Sequence, residues 1–314
     1  MSTVAQTGHE EQLRAMRALV ASGKRKQAIF AAVGLLCTAF AILVLLAAFL
    51  DLLFDGVPRL SLDFLGNFPS RRAEQAGILS AWVGSAMVML VTISAAVPIG
   101  VGAAVYLEEY AKKNWLTDLI EINVTNLAGV PSIVYGLLAL GLFVYQFGFG
   151  ESILTAGATL ALLILPIVIV SSREALRAVP GHIREAAYAM GATRWQMISD
   201  HLLPYSRGGI LTGIILGMAE AIGQTAPLIT IGALTFIAFL PPSPITGEFP
   251  FVSFQWVWSE FTVLPIQMYN WVSRPDKAFQ LNAAAAGVIL MGMTLVMNGL
   301  AIYLRYQVRK NIKW

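Results

Sequence analysis

Apolar positions along this chain gather into long runs parted by short polar segments. The runs fall at about 27–50, 78–107, 119–147, 152–171, 208–238 and 281–303. Each reaches the roughly 20 residues that cross a ~30 Å hydrocarbon core at ~1.5 Å per residue. The pattern therefore predicts an all-α polytopic membrane protein with six transmembrane helices. A polar segment, 1–26, precedes the first run and ends in Lys24, Arg25 and Lys26. A secretory signal has an apolar core of only about 7–15 residues and a small-residue cleavage site, so the first run reads as a retained helix.

Prolines interrupt the pattern at Pro98, Pro131, Pro166 and Pro227. Such kinks are common in membrane helices, where neighbours satisfy the freed carbonyls. Pro131 is the best candidate for a functional bend, because Asn126, Gly129 and Ser132 surround it and unwound backbone there could offer amides or hydroxyls to an anion. A different pattern occupies 180–204, a charged amphipathic segment. Ile183, Ala187, Met190 and Met197 recur at spacings that line one helical face, with Arg184, Glu185, Arg194 and Asp200 off it. Gly191 would permit a turn between two short helices. Pattern alone is equally satisfied by a connector resting on the bilayer surface. The stretch 240–280 carries Phe249, Phe251, Phe254, Trp256, Trp258 and Trp271, an aromatic density that suits a membrane interface or a docking surface for an external partner.

Composition agrees with the pattern. Apolar residues make up 57% of the 314 residues and charged ones 12%, with a mean hydropathy of +0.70, too little charge to cover a water-soluble surface. Of the 21 lysines and arginines, only Arg59, Arg71, Arg72, Arg274 and Lys277 fall on one side of the expected layout. The positive-inside rule then puts both termini and the 172–207 segment in the cytoplasm. The net charge of +3 lies in clusters flanking apolar runs, which argues against nucleic acid. A single cysteine, Cys37, excludes an intrachain disulfide and suggests no metal cluster. The chain lacks G-x-x-x-x-G-K-[ST] and H-E-x-x-H, and His9, His182 and His201 all lie in expected cytoplasmic segments. No catalytic residue, metal ligand or directly bound cofactor is expected, and transport or a structural role is left standing.

Glu185-Ala186-Ala187, Gly191 and Leu203-Pro204 resemble the E-A-A-x-x-x-G loop of ABC importer permeases. The family's usual Ile is replaced by His201. Further stretches, YLEEYA (106–111), IEINVTNLAGVPSIVYGLLALGLF (120–143), LALLILPIVIVSSREALRAVP (160–180), GQTAPLITIGAL (223–234) and FTVLPIQMYNWVSRP (261–275), are similar to the A-type permease subunits of bacterial phosphate-specific ABC importers. The resemblance covers about 78–305. It implies a type I ABC importer permease fold in a bacterial inner membrane, with 27–77 as first helix and outer loop, 78–305 as transmembrane domain and 306–314 as cytoplasmic tail. It also implies a second related permease, two ATPase subunits that bind ATP and Mg, and a periplasmic phosphate-binding protein. Glu185, Ala186, Ala187, Gly191, Leu203 and Pro204 would then couple to the ATPase.

The run 208–238 carries two rows of interest. Gly209, Gly213 and Gly217 form a small-residue stripe suited to close helix packing. Beside it stand Thr212, Leu216, Glu220 and Gln224. Counted from Gly208 along a straight helix, Glu220 lies about 18 Å into the membrane. An acid at that depth costs at least a few kcal/mol unless paired, protonated or hydrated, which marks it as a functional candidate. The bland alternative is an interhelical hydrogen bond. Phosphate permeases commonly read R-A-x-G-E-T-A-P here, with the arginine implicated in passing the anion, whereas this chain reads Glu220-Ala221-Ile222-Gly223-Gln224-Thr225-Ala226-Pro227. Glu220 is therefore expected to pair with a basic residue of a partner permease, or to be protonated. Glu220, Gln224, Thr225, Asn126 and Ser132 are the expected path residues. The charge change also leaves open another oxyanion as solute, and a lone proton-coupled carrier using Glu220 is a third reading, against which the E-A-A loop argues.

Overall fold

The computed structural model describes residues 2–245, 247 and 251–310. Phe249 of the aromatic stretch and Lys313 of the basic C-terminal tail lie outside them. The chain divides into two units, 1–54 and 55–314. The first is a stretch of one helix, α1 (Ser2–Gly56), whose side chains from Lys26 to Leu46 are exposed.

The second unit is a helical bundle. Its long members are α2 (Leu79–Val105), α5 (Ile153–Arg177), α7 (Leu203–Ile222) and α10 (Ala278–Lys310). Between α2 and α5 lie two shorter helices, α3 (Trp115–Leu127) and α4 (Ser132–Ala139), and α6 (Gly181–Ala189) joins α5 to α7. Two more short helices, α8 (Ala226–Thr230) and α9 (Leu264–Val272), precede α10. Among the described residues, five helical stretches are long and apolar enough to cross a membrane: Lys26–Arg59, Leu79–Tyr110, Ile153–Arg177, Arg194–Ile222 and Ala278–Gln307. A sixth exists only if α3 and the helical run Ser132–Gln146 are counted as one broken span.

Helix α5 is the centre of the bundle, packed on α2 along one side and α7 along another. Small residues permit both approaches. Gly217, Gly213 and Gly209 of α7 face Ile164, Ser171 and Ala175 of α5 in antiparallel order, and a side chain at Gly213 would occupy the space of Ser171. The central core joins Val88, Leu160, Ile164, Ala221, Leu228 and Ile266. A second cluster, with Phe64, Ile78, Leu264 and Trp271, lies under the 57–76 segment. Arg59 fixes that segment: its Nε donates to Asn282 Oδ1 at 2.7 Å and its Nη2 to the carbonyls of Ala73, Glu74 and Ala76.

Two expected spans are not straight helices. The run 119–147 is broken at 128–131, and its halves meet at 107°. The cause is local: Gly129-Val130-Pro131 follows α3, and Pro131 supplies no N–H, so the ladder cannot pass through it. The run 208–238 ends as helix at Ile222, with Gly223 as its C-cap. After 223–225 the chain restarts as α8, with Pro227 near its start, and then turns at Gly232, whose φ is +89°. Pro98 and Pro166, in contrast, sit inside continuous helices.

Candidate functional site

The polar connector 180–204 folds as two short helical pieces about Gly191. Helix α6 ends at Met190, and Gly191 takes φ +83°, a left-handed conformation that glycine adopts without steric cost. Its N–H reaches Tyr188 O at 2.9 Å while Ala192 N–H reaches Ala187 O at 3.0 Å. These bonds satisfy the carbonyls at the helix end. Thr193 and Gln196 then form a reciprocal capping box that starts the next helical piece, which runs through a π-helical turn, Met197–Leu202, into α7.

The predicted apolar face of this connector is partly right. Ala187 and Met197 are buried with Leu176, Ile198 and Leu202, and Ile183 packs beside them. Met190 is not on that face. It sits at the helix end, where the left-handed turn ends the helical phase, and is 88% exposed. Glu185 and Ala186 point outward, Leu203 and Pro204 are half-buried, and Ala187 is covered by the chain itself. Tyr188, Met190 and Trp195 form an exposed apolar fringe that periodicity did not single out. Arg184, read as merely off the apolar face, anchors α6: it donates to Glu109 Oε1 at 3.1 Å and to the carbonyls of Leu176 and Val179 at 2.9 and 2.8 Å.

A second polar assembly joins the C-terminal end of α5 and the middle of α3 to the π-helical turn Tyr106–Tyr110 that follows α2. Arg173, 6% exposed, pairs with Glu121 at 2.9 Å and lies 3.6 Å from Glu108. Arg177 reaches Glu108 at 2.8 Å and Glu121 at 3.4 Å. Sequence reading missed this cluster. The signal available was Glu121, an acid within an apolar run.

The expected path residues lie at the two breaks. Asn126 is exposed near the end of α3, and Ser132 begins α4 across the bend. The buried Tyr135 closes that bend by donating its hydroxyl to Leu127 O at 2.8 Å. Gln224 and Thr225 occupy the second break, both half-buried. The breaks meet through the helices that follow them: α4 and α8 pack at Gly136, where a side chain would strike Thr230 and Pro227. Ser132 and Thr225 thus belong to contacting elements, while Asn126 stands on the far side of the bend.

Glu220 lies in the last turn of α7, not in the middle of an unbroken span, because the helix ends two residues later. Its neighbour Ala221 is buried and continues the glycine row. Glu220 itself is exposed, and among the described residues it has neither a hydrogen bond nor an ion pair. Its exposure goes with its place at the end of the helix, two residues before Ile222 and past Gly217, the last glycine that meets α5. No group of three or more His, Cys, Asp or Glu suited to a metal occurs among the described residues.

Comparison with known proteins identifies the architecture. Residues 96–310 match the family model for the inner membrane component of binding-protein-dependent transport systems. The phosphate transport system permease protein PstA of Xylella fastidiosa (strain Temecula1) is 32% identical over 79% of this chain and 81% of its own. PstA of Pasteurella multocida is 33% identical over 79% and 86%, and PstA of Yersinia pestis 34% over 78% of each. Among solved structures, the MetNI methionine ABC transporter in inward-facing conformations superimposes with a TM-score of 0.56 at 17% identity, over 74% of this chain and 95% of that one. At that identity the likeness speaks to fold alone. It agrees with a type I ABC permease-like fold, and the sequence matches settle the relationship: this chain belongs to the binding-protein-dependent transport system inner membrane component family.

Proposed function

We propose that the chain is the membrane permease subunit of an ATP-driven importer of inorganic phosphate. The observation that carries this reading is the 32–34% identity to PstA permeases over nearly four-fifths of the chain. The chain works as a multi-pass subunit in a bacterial inner membrane, with the broken pair α3–α4 as one of six spans and both termini in the cytoplasm. The boundaries follow: a cytoplasmic tail at 1–26, a first helix and outer loop at 27–77, the permease domain at 78–305 and a second tail at 306–314. It assembles with a second, related permease, two ATPase subunits that hold ATP and Mg, and a periplasmic phosphate-binding protein.

In this reading α6 is the coupling element. Glu185, Ala186 and the exposed fringe of Tyr188, Met190 and Trp195 face the ATPase, while Ala187, Gly191, Leu203 and Pro204 shape the loop from within. The buried underside of the connector supports this, because α6 rests on Met197, Ile198 and Leu202 and would pass a push directly to α7. The breaks at 128–131 and 223–225 border the solute path, with Asn126, Ser132, Gln224 and Thr225 supplying polar groups. Glu220 points out of its own chain and pairs with a basic group of the second permease.

A second reading keeps the machine and changes the solute to another oxyanion, favoured by the acid at Glu220 and the amide at Gln224. Transport by the whole reconstituted complex separates the two. ATP-dependent uptake of phosphate over sulfate and molybdate supports the first, and preference for either competitor selects the second. A chain that carries solute alone, without ATPase subunits, would overturn both.

A further inference from the structure

We propose that Arg173 and Arg177 form an oxyanion-binding site at the cytoplasmic end of the bundle, held shut in this conformation by the carboxylate of Glu121. Three observations converge on it. A cavity of about 580 Å³ opens between α3, the turn after α2 and the end of α5, lined by Lys113, Arg173 and Arg177 and by Glu108, Asp118 and Glu121. Arg173 is buried, yet its Nε has no hydrogen-bond partner, the nearest carboxylate oxygen being Glu108 Oε2 at 3.6 Å. A buried guanidinium in a purely structural pair would have its donors satisfied. Finally, Glu121 bridges both arginines, through separate carboxylate oxygens at 2.9 and 3.4 Å, as a bound tetrahedral oxyanion would.

Chemistry selects the ligand class. The guanidinium fork fits carboxylate and phosphate alike, so an anion with several oxygens can replace what Glu121 supplies. With Glu121 in place, three cations face three carboxylates. With it withdrawn, the cavity has one positive charge in excess. Withdrawal is mechanically available, because Glu121 sits on α3, which has no buried residue and is parted from α4 by the 107° bend. Its side chain is 38% exposed against 8% for Arg173, so the acid is the mobile partner and the base the fixed one. An anion arriving at the cytoplasmic end competes with Glu121, and α3 swings as it is displaced.

The identity of the anion as phosphate rests on the import reading, and the test keeps the two separable. The whole complex, purified without binding protein or ATP, is titrated with inorganic phosphate and, in parallel, sulfate. Glu121→Gln removes the competing charge and is expected to raise affinity for one of these ions roughly tenfold, the scale of one charge-assisted contact. The double variant Glu121→Gln with Arg173→Gln, or with the more exposed Arg177→Gln, is expected to return it to the wild-type level. Unchanged affinity in Glu121→Gln overturns the site, and so does a gain that survives both double variants. Equal elution of all complexes and unchanged ATPase assembly certify folding. A rise for sulfate but not phosphate supports the site while counting against phosphate as the solute.

Discussion

The seam between α5 and α7 and the charged layer beside it are held by opposite means. In the seam, Gly209, Gly213 and Gly217 bring two backbones together by close packing. In the layer, α3, α6 and the turn after α2 are fastened by Arg173, Arg177 and Arg184 to Glu121, Glu108 and Glu109. Lipid tails offer no hydrophobic drive between helices, so association rests on close packing or on polar bonds. Close packing cannot be loosened by degrees, because a backbone seam either fits or does not. Ion pairs at a partly wet end can exchange partners. The molecule thus places its rigid joint along the length of α5 and its exchangeable joints where the ATPase and the departing solute would act.

The largest effect should come from breaking the seam. Gly213→Leu puts a branched side chain where Ser171 stands, overpacking of a kind that costs about 1–3 kcal/mol or more. Loss of the assembled complex from membranes and of phosphate uptake is expected, while Gly208→Ala, which faces open space, should leave both intact. Equal tolerance of the two would mean that the seam is not the rigid joint. The next largest effect lies in the layer. Arg184→Gln surrenders the Glu109 ion pair and weakens two carbonyl contacts, each charged hydrogen bond being worth about 1.5–3 kcal/mol. The complex should still assemble, but ATP hydrolysis per phosphate transported should rise several-fold as α6 loosens. An unchanged ratio would show that α6 is held by its apolar underside alone. Gly191→Val acts on the same coupling at smaller scale, forcing a β-branched residue to φ +83° at about 1–2 kcal/mol, and Gly191→Asn should recover most of the loss.

What the sequence disclosed follows the range of the forces involved. The glycine stripe and the connector's turn at Gly191 are local, so spacing alone exposes them. The bend at 128–131 was visible as Gly129 and Pro131, but hydropathy sums both halves into one apolar run and cannot register a 107° angle. The end of α7 was lost in the same way, since Gly223 and Pro227 interrupt helix without interrupting apolarity. The Arg173–Glu121 pair spans 52 positions, and no periodicity links residues that far apart. Met190 was misplaced because a 3.6-residue count cannot register that the helix stops at Ala189 and leaves the next side chain at an exposed end.

Glu220 sharpens the comparison from the α7 side. It lies one residue from the buried row and escapes the seam, so replacing it should leave assembly alone. Glu220→Gln is expected to slow uptake several-fold if the carboxylate pairs with the second permease, and Glu220→Arg should slow it further by setting like charges together. Full uptake by the Gln variant would exclude a required carboxylate, and a gain with Arg would assign the position to the anion itself.

The smallest effect tests whether the bend belongs to the rigid class or the exchangeable one. Tyr135 is buried, and its hydroxyl makes one hydrogen bond across the break, to Leu127 O. Tyr135→Phe keeps the ring and its packing and removes about 1 kcal/mol. If α3 is a movable arm held by ion pairs, the loss should be invisible in uptake by the wild-type chain. It should appear once Glu121→Gln has cut the other tie, as a further two- to fivefold change when both substitutions are combined. Strict additivity of the two would instead make the bend an independent fixed joint, because separate ties on one mobile element must show an interaction energy in a double-mutant cycle.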